Sequence, residues 1–183
     1  IYAATKKSTE SIAHSYSNIW KVPITMLRFF TVYGPWGRPD MALFLFAEAI
    51  RKGEPINVFN HGNMLRDFTY VDDIVTGVVN VILNPAQAPE AKSKANPTKA
   101  PYKIYNIGNN NPVKLMDFIQ AIEDAFGGKF KMNMMELQPG DVPSTFANVD
   151  DLVRDFNYKP NTSIKTGIEK FISWYKEYYK VNT

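Results

Sequence analysis

A tyrosine and a lysine, Tyr2 and Lys6, lie four positions apart at the beginning of the chain. Residues at i and i+4 share one face of a helix. Tyrosine titrates near about 10, and a nearby ammonium group favours its phenolate form. Lowering that pKa by about three units takes about 4 kcal/mol, which the lysine, a cationic cofactor ring and partial burial can supply together. The pair is therefore a candidate general base for an alcohol proton, although helices also carry this spacing by chance.

The composition is that of a globular domain and excludes several kinds of site. The chain has 183 residues, of which 45% are hydrophobic, and a formal net charge of +3. This length is enough to bury a core. The sequence has no Cys and only two histidines, His14 and His61, which excludes disulfides and thiolate metal sites. Because Lys and Arg are scattered and no apolar run reaches about 18 residues, we expect a cytoplasmic protein that binds no metal, nucleic acid or membrane.

The elements that must position the Tyr2–Lys6 pair follow from the apolar periodicity. The first helix has an apolar stripe at i, i+1, i+4, i+7 and i+8, formed by Ile12, Ala13, Tyr16, Ile19 and Trp20. The sequence predicts helices over 2–20, 42–53, 72–83, 113–127, 149–156 and from 164 onward. It predicts strands over 24–30, 56–59, 65–71, 102–108 and 129–135. Loops are predicted over 31–40 and 138–145. This alternation favours an α/β protein with a mostly parallel sheet.

Residues 85–101, PAQAPEAKSKANPTKAP, differ from the rest of the chain. Pro, Ala and Lys supply 12 of these 17 positions, and none is a bulky apolar residue. Such a composition predicts a solvated, mobile loop.

The number of strands that look fully buried is small for the predicted architecture. Only 24–30 and 102–108 have the continuous apolar character of parallel core strands. Two such strands do not make a stable doubly wound sheet. The pattern is that of the second half of something larger.

Six motifs occur in an order that resembles a known superfamily. They are YAATKK, RFF, TVYGPWGRPDMALF, MLRDFTYVDDI, YNIGNNNPV and QPGDVPST. Together they resemble the extended short-chain dehydrogenases/reductases, and within them the NAD-dependent nucleotide-sugar epimerases, most of all the UDP-glucuronate 4-epimerases. The resemblance covers nearly the whole chain except 85–101.

The resemblance implies the C-terminal portion of a Rossmann-type doubly wound fold plus a small α/β substrate-binding domain. Residues 1–35 would end the dinucleotide-binding domain, and 36–70 would supply mainly substrate-binding elements. Residues 71–110 would return to the Rossmann part, and 111–183 would form the substrate-binding domain.

The resemblance also implies the catalytic roles. Tyr2 would be the base that takes the proton of the sugar 4-hydroxyl. Lys6 would hold the nicotinamide ribose of NAD and lower the pKa of the tyrosine, and Phe29 would lie against the nicotinamide. A transient 4-keto sugar would be reduced again on its other face, so the cofactor would emerge unchanged.

Five further residues match family positions that bind the UDP moiety. Arg66 would pair with the diphosphate, for which a guanidinium fork is suited. Asn57 and Phe59 would contact the uracil and ribose, and Asp141 would bind the uridine ribose. Gln138 stands where many relatives have arginine and is typical of the UDP-glucuronate subgroup. A solvated Arg66 and a Phe59 that only fills the core are the alternatives.

The identity of the sugar depends on Thr31 and Arg38, which the resemblance places beside its C5 substituent. A hydroxyl and a guanidinium suit a C6 carboxylate, which favours conversion of UDP-glucuronate to UDP-galacturonate for surface polysaccharide. A solvent-facing Arg38 is the alternative. Rival functions are a UDP-glucose or UDP-N-acetylhexosamine 4-epimerase and a non-catalytic nucleotide-sugar-binding module.

The glycine-rich motif that cradles the NAD pyrophosphate in the family, GxxGxxG, does not occur in this sequence. We therefore expect Ile1 to be a boundary within a longer enzyme, whose N-terminal half is a possible further partner. The 183 residues alone are expected to lack epimerase activity and to bind NAD poorly. The resemblance also implies a homodimer through the helix that carries Tyr2.

Overall fold

The computed structural model describes residues 1–90 and 97–181. Its helices are α1 (Tyr2–Trp20), α2 (Ala42–Lys52), α3 (Val71–Leu83), α4 (Leu115–Phe126), α5 (Asp150–Phe156) and α6 (Ile164–Tyr178), with a 3₁₀ segment at Phe59–Gly62. Its strands are β1 (Ile24–Phe29), β2 (Thr31–Tyr33), β3 (Ile56–Val58), β4 (Leu65–Arg66), β5 (Phe68–Tyr70), β6 (Tyr102–Ile107), β7 (Val113–Lys114) and β8 (Met132–Met134). The α/β prediction is confirmed.

The strands of the described residues pair two by two. β1 pairs with β6, β2 lies parallel to β5, β3 lies parallel to β8, and β4 is antiparallel to β7. The sequence prediction of a continuous loop over 31–40 was wrong at its beginning. Thr31, Val32 and Tyr33 have the β-branched and aromatic character of a strand and pair in register with Phe68–Tyr70. The two Gly and two Pro that follow concealed this short strand.

The chain divides into two compact units. Unit 1 comprises Ile1–Arg28, Thr76–Ile107 and Val149–Tyr158, and unit 2 comprises Phe29–Val75, Gly108–Asn148 and Lys159–Thr183. These boundaries differ from the predicted ones, since Val149–Tyr158 falls in unit 1 although it lies within 111–183. The functional assignment of the predicted domains stays a prediction.

Unit 2 is built around an aromatic core. Phe68 stacks on Phe118 with ring centroids 3.9 Å apart, and Phe44 meets Phe171 edge to face at 4.9 Å. Each such buried side chain contributes about 1.5–3 kcal/mol. Helix α6 supplies one wall because its apolar residues recur at helical spacing, and the hydroxyl of Ser163 caps its first turn by accepting from the Thr166 N–H.

A close approach between α6 and β2 requires glycine at position 167. A Cβ added to Gly167 would lie 2.2 Å from the Tyr33 hydroxyl oxygen and 2.8 Å from its ring. The Tyr33 ring cannot move aside easily, because it is buried against Phe68, Tyr70 and Phe118. Burial also raises the pKa of the Tyr33 hydroxyl.

Gly167→Ala is therefore expected to lower the free energy of unfolding by about 1–3 kcal/mol, the usual cost of overpacking. A decrease in the free energy of unfolding is informative, because Gly→Ala within a helix otherwise raises it by roughly 0.5–1 kcal/mol. Urea denaturation measures the change. Gly128→Ala is the matched control, since no atom lies within 4 Å of its added Cβ. A stabilised Gly167→Ala variant would contradict the packing argument.

In unit 1, helix α1 is held by a buried carboxylate rather than by its apolar stripe. Glu10 accepts from Arg28 Nε at 2.6 Å and Nη2 at 2.8 Å, and from Lys7 Nζ at 2.8 Å. The Arg28 guanidinium, followed by Lys7, lowers the pKa of Glu10 to about 2. Ile12, Ile19 and the other large residues of the predicted stripe are exposed. The stripe itself is present, but the described residues leave its large side chains exposed.

The predicted solvated loop 85–101 is only partly within the described residues, because 91–96 lie outside them. In the described part, Ala86, Ala100 and Pro101 are buried, so the expectation of a fully solvated segment was wrong at these three positions. Small alanine side chains fit against the unit without the bulky apolar residue that usually signals burial. Nothing tests the predicted mobility. Among residues 1–90 and 97–181, no helix is both long and apolar enough to cross a bilayer.

Candidate active site

The first turn and a half of α1 brings Tyr2 and Lys6 together. The Lys6 Nζ lies 5.6 Å from the centroid of the Tyr2 ring, as the i, i+4 spacing predicts. The Tyr2 side chain is 73% exposed, so its hydroxyl is open to a reactant. The arrangement places a cation beside a phenol, and the catalytic role of the pair stays a prediction.

Five of the predicted substrate residues line one pocket of about 630 Å³ in unit 2, which we call the nucleotide pocket. They come from three separate stretches of sequence: Asn57 and Phe59 around the end of β3, Arg66 on β4, and Gln138 and Asp141 on the loop after β8. One wall is formed by α2, with Leu45, Phe46 and Ala49 among its lining side chains. The volume falls in the range of small-molecule sites.

Arg66 is one of two cations that line the described nucleotide pocket, the other being Lys52, and it is paired with Asp141. Its Nη2 donates to both carboxylate oxygens, at 2.9 Å and 3.1 Å, and its Nη1 donates to the Leu65 carbonyl at 3.0 Å. The Arg66 side chain is only 14% exposed. A half-buried ion pair is stronger than an exposed one because water screens it less. Two of the predicted ligand-binding groups therefore hold each other.

Backbone geometry shapes the part of the nucleotide pocket that Asn57 and Phe59 line. Asn57 faces Asn133 across the β3–β8 pair, and its Oδ1 accepts from the Asn133 Nδ2 at 3.0 Å. Phe59 begins the 3₁₀ segment, in which Asn60 and His61 both take left-handed φ angles of 49° and 48°. These angles are uncommon for residues other than Gly. They turn the chain sharply after Phe59, which remains half-buried at the pocket.

The negative charge of Glu48, a carboxylate on the α2 wall, is already balanced by neighbouring cations. Glu48 pairs with Arg51 and Lys52 and accepts from the Tyr175 hydroxyl at 2.6 Å. The Arg51 guanidinium, with the Tyr175 hydroxyl next, lowers the pKa of Glu48 to about 2. Glu48 therefore remains ionised, and its charge is balanced from within the protein.

Thr31 and Arg38 line a second, smaller pocket of about 30 Å³ in unit 2, together with Phe68 and Phe118. The structure pairs Arg38 with Asp40, whose Oδ1 accepts from the Arg38 Nε at 3.0 Å. The Arg38 guanidinium lowers the pKa of the Asp40 carboxyl. Arg38 thus already binds a carboxylate in the fork geometry that a uronate would use.

Phe29, the last of the predicted site residues, ends β1, and it is 54% exposed.

Sequence reasoning missed Asp40, although its position two residues after Arg38 was a usable signal. It also missed Asp67, which is fully buried; its place between Arg66 and the apolar Phe68 in the predicted strand 65–71 was the only hint. Within 1–90 and 97–181, no group of three or more His, Cys, Asp or Glu side chains is placed to hold a metal ion.

Comparison with known proteins decides the family. Residues 1–108, more than half of the chain, match the NAD dependent epimerase/dehydratase family. The chain belongs to this family. The resemblance on which the site residues were chosen is therefore confirmed.

Two relatives are similar to this chain along nearly its whole length. Protein CapI of Staphylococcus aureus is 58% identical over 98% of this chain and 55% of CapI. The probable UDP-glucuronate 4-epimerase of Rhizobium meliloti (strain 1021) is 46% identical over 98% of this chain and 54% of that protein.

A solved structure shows the same fold. It is UDP-glucuronic acid 4-epimerase from Bacillus cereus in complex with UDP-glucuronic acid and NAD, with a TM-score of 0.82 and 31% identity over 97% of this chain and 53% of that one. This likeness confirms the Rossmann-type α/β fold class. The chain spans about half the length of the relatives it matches.

Proposed function

We propose that this chain supplies the catalytic pair and the UDP-sugar pocket of an NAD-dependent UDP-glucuronate 4-epimerase. The observation that carries the proposal is the convergence of Asn57, Phe59, Arg66, Gln138 and Asp141 on one pocket. Relatives named UDP-glucuronate 4-epimerase support the choice of reaction.

The residues of this chain fit NAD at its nicotinamide end. Lys6 carries an ammonium that suits ribose hydroxyls as acceptors, and Phe29 presents an exposed ring that suits the face of a nicotinamide. When bound, NAD supplies reversible two-electron oxidation at C4 of the sugar.

In this proposal Tyr2 manages the proton at the sugar O4. Its phenolate takes the 4-hydroxyl proton as the alcohol becomes a ketone, and its phenol returns the proton when the alcohol re-forms with inverted configuration. The Lys6 ammonium lies beside the Tyr2 ring on the same face of α1. One residue serves as base and then as acid, so a complete turnover leaves its protonation state unchanged.

The substrate is held by its diphosphate and its base. Arg66 donates N–H groups to phosphate oxygens, Asp141 accepts from ribose hydroxyls, and the ring of Phe59 packs against the uracil. The apolar side chains of the α2 wall, those of Leu45, Phe46 and Ala49, exclude water from the base.

The preference for a uronic acid rests on Arg38, which exchanges Asp40 for the C6 carboxylate of the sugar. Arg38→Ala is expected to lower kcat/KM for UDP-glucuronate by about 10–100-fold, the loss of one charge-assisted contact, and to change kcat/KM for UDP-glucose by less than about threefold. Steady-state assays with both sugars on the full-length enzyme measure this. Equal losses for the two sugars would favour the rival UDP-glucose or UDP-N-acetylhexosamine epimerases.

A homodimer through α1 is a further part of the proposal. Its support is the exposed apolar stripe of α1, which includes Ile12, Tyr16, Ile19 and Trp20, because contiguous exposed apolar surface marks association sites. Sedimentation velocity on the full-length enzyme tests it, and a monomer at micromolar concentration would exclude it. A cytoplasmic location and a role in polysaccharide synthesis are proposed on the family resemblance alone.

A further inference from the structure

Asp67 is a buried carboxylate that belongs to none of the predicted roles. Its side chain is fully buried in unit 2. Oδ1 accepts from the Asn109 N–H at 2.7 Å and from the Thr69 hydroxyl at 3.4 Å, and Oδ2 accepts from the Ala147 N–H at 3.0 Å. Burying a carboxylate is costly unless hydrogen bonds replace its water. These donors stabilise the charge and tie Asp67 to two segments 42 and 80 residues further along the chain.

The three segments meet at a distance that only glycine permits. A Cβ added to Gly108 would lie 2.5 Å from the Ala147 Cβ and 3.2 Å from Asp67 Oδ1. The Asn109 N–H can therefore reach the carboxylate because residue 108 has no side chain. The arrangement is a tightly packed junction rather than a loose surface contact.

The backbone of Asp67 is fixed at the same junction. Its N–H donates to the Thr145 hydroxyl at 3.3 Å, and its carbonyl accepts from the Thr31 N–H at 3.2 Å. The Thr145 N–H donates to the Leu65 carbonyl at 3.1 Å. The residues on both sides of Arg66 are thus anchored to 145–147.

Successive side chains of an extended chain point to opposite faces. Asp67 is buried while its neighbour Arg66 lines the nucleotide pocket. We propose that Asp67 is a positioning residue, which anchors its strand from behind so that Arg66 presents its guanidinium to the diphosphate. The inference rests on the proposed function, because it assumes that Arg66 binds phosphate.

The test compares the affinity for UDP with the affinity for uridine, so that a loss of phosphate binding is distinguished from a loss of nucleoside binding. In Asp67→Asn, one carboxylate oxygen becomes an NH₂ group that faces a backbone N–H, so the anchor to Asn109 or Ala147 is lost. Titrations of the full-length enzyme with UDP and with uridine, which lacks phosphate, give two dissociation constants. The affinity for UDP is expected to fall by about tenfold or more, equivalent to weakening one hydrogen bond to a charged group, and the affinity for uridine by less than about threefold.

Glu123→Gln is the matched control. Glu123 is also a buried carboxylate of unit 2 that accepts from a backbone N–H, that of Phe130 at 2.8 Å, and it does not line the nucleotide pocket. Its variant removes the same charge and is expected to leave the ratio of UDP to uridine affinity unchanged. If Asp67 served stability alone, Asp67→Asn would lower the melting temperature, as Glu123→Gln does, and would leave the ratio of UDP to uridine affinity unchanged. That result would overturn the inference.

A milder variant keeps the inference testable if Asp67→Asn does not fold. Thr145→Val removes the acceptor of the Asp67 N–H and preserves side-chain shape, and it is expected to lower the affinity ratio in the same direction by about two- to fivefold. An unchanged ratio in Thr145→Val, with Asp67→Asn unfolded, would overturn the inference. If the wild-type chain did not bind UDP, the proposed function would fail and this inference with it.

Discussion

Replacing Tyr2 by phenylalanine is expected to lower kcat for the conversion of UDP-glucuronate to UDP-galacturonate by about 10²–10⁴-fold, the usual contribution of a positioned general base. The change removes only the phenolic oxygen, so the ring remains beside the Lys6 ammonium and substrate affinity is expected to change little. Steady-state kinetics at saturating NAD, on the enzyme at the full length of its relatives, give kcat and KM separately. A loss confined to kcat is the signature of a group that acts only in the transition state.

Tyr16→Phe is the control for this prediction. Tyr16 lies on the same helix α1 and is also exposed, so its variant loses the same atom from the same element without touching the catalytic pair. Its kcat is expected to stay within about twofold of wild type, since the catalytic pair is untouched and phenylalanine keeps the apolar ring that the proposed dimer face would use. A Tyr2→Phe enzyme with wild-type kcat would favour the rival hypothesis of a non-catalytic nucleotide-sugar-binding module.

The parts of the site that the sequence predicts well are local. The Tyr2–Lys6 spacing needs only helical geometry, and the observed helix α1 supplies it. Helix α6 could also be predicted from the sequence, because its core residues recur with a helical period and Ser163 marks its beginning. Strand β2 was missed because three extended residues precede a Gly- and Pro-rich turn. Its partner Phe68–Tyr70 lies 37 positions away, beyond the reach of local patterns.

Two carboxylates that sequence reasoning missed, Glu10 and Asp67, are held by distant partners. Glu10 is buried by Arg28, 18 residues away, and Asp67 by donors 42 and 80 residues away. A charged residue predicts exposure unless its partners are known, so both carboxylates looked like surface residues. The apolar stripe of α1 predicted the helix correctly, but periodicity shows which face is apolar and not what covers it.

Arg66→Ala is expected to raise the dissociation constant of the full-length enzyme for UDP by about 10–100-fold, because hydrogen bonds to charged groups contribute about 1.5–3 kcal/mol. Loss of the cation also leaves the Asp141 carboxylate unpaired in the nucleotide pocket, where it repels the diphosphate. Arg66→Lys retains the charge but loses the planar fork, so its dissociation constant is expected to fall between those of wild type and Arg66→Ala. Isothermal titration with UDP measures all three.

The repulsion from Asp141 predicts a non-additive double variant. If the unpaired carboxylate contributes to the loss, Arg66→Ala combined with Asp141→Asn is expected to bind UDP more tightly than the sum of the two single losses implies. Arg154→Ala is the control, because Arg154 is an exposed arginine of unit 1 that also pairs with carboxylates, those of Asp151 and Asp155. Its dissociation constant is expected to equal that of wild type. Equal UDP affinity in Arg66→Ala and Arg154→Ala would show that the nucleotide pocket does not use Arg66 for phosphate, and the proposed substrate contacts would have to be abandoned.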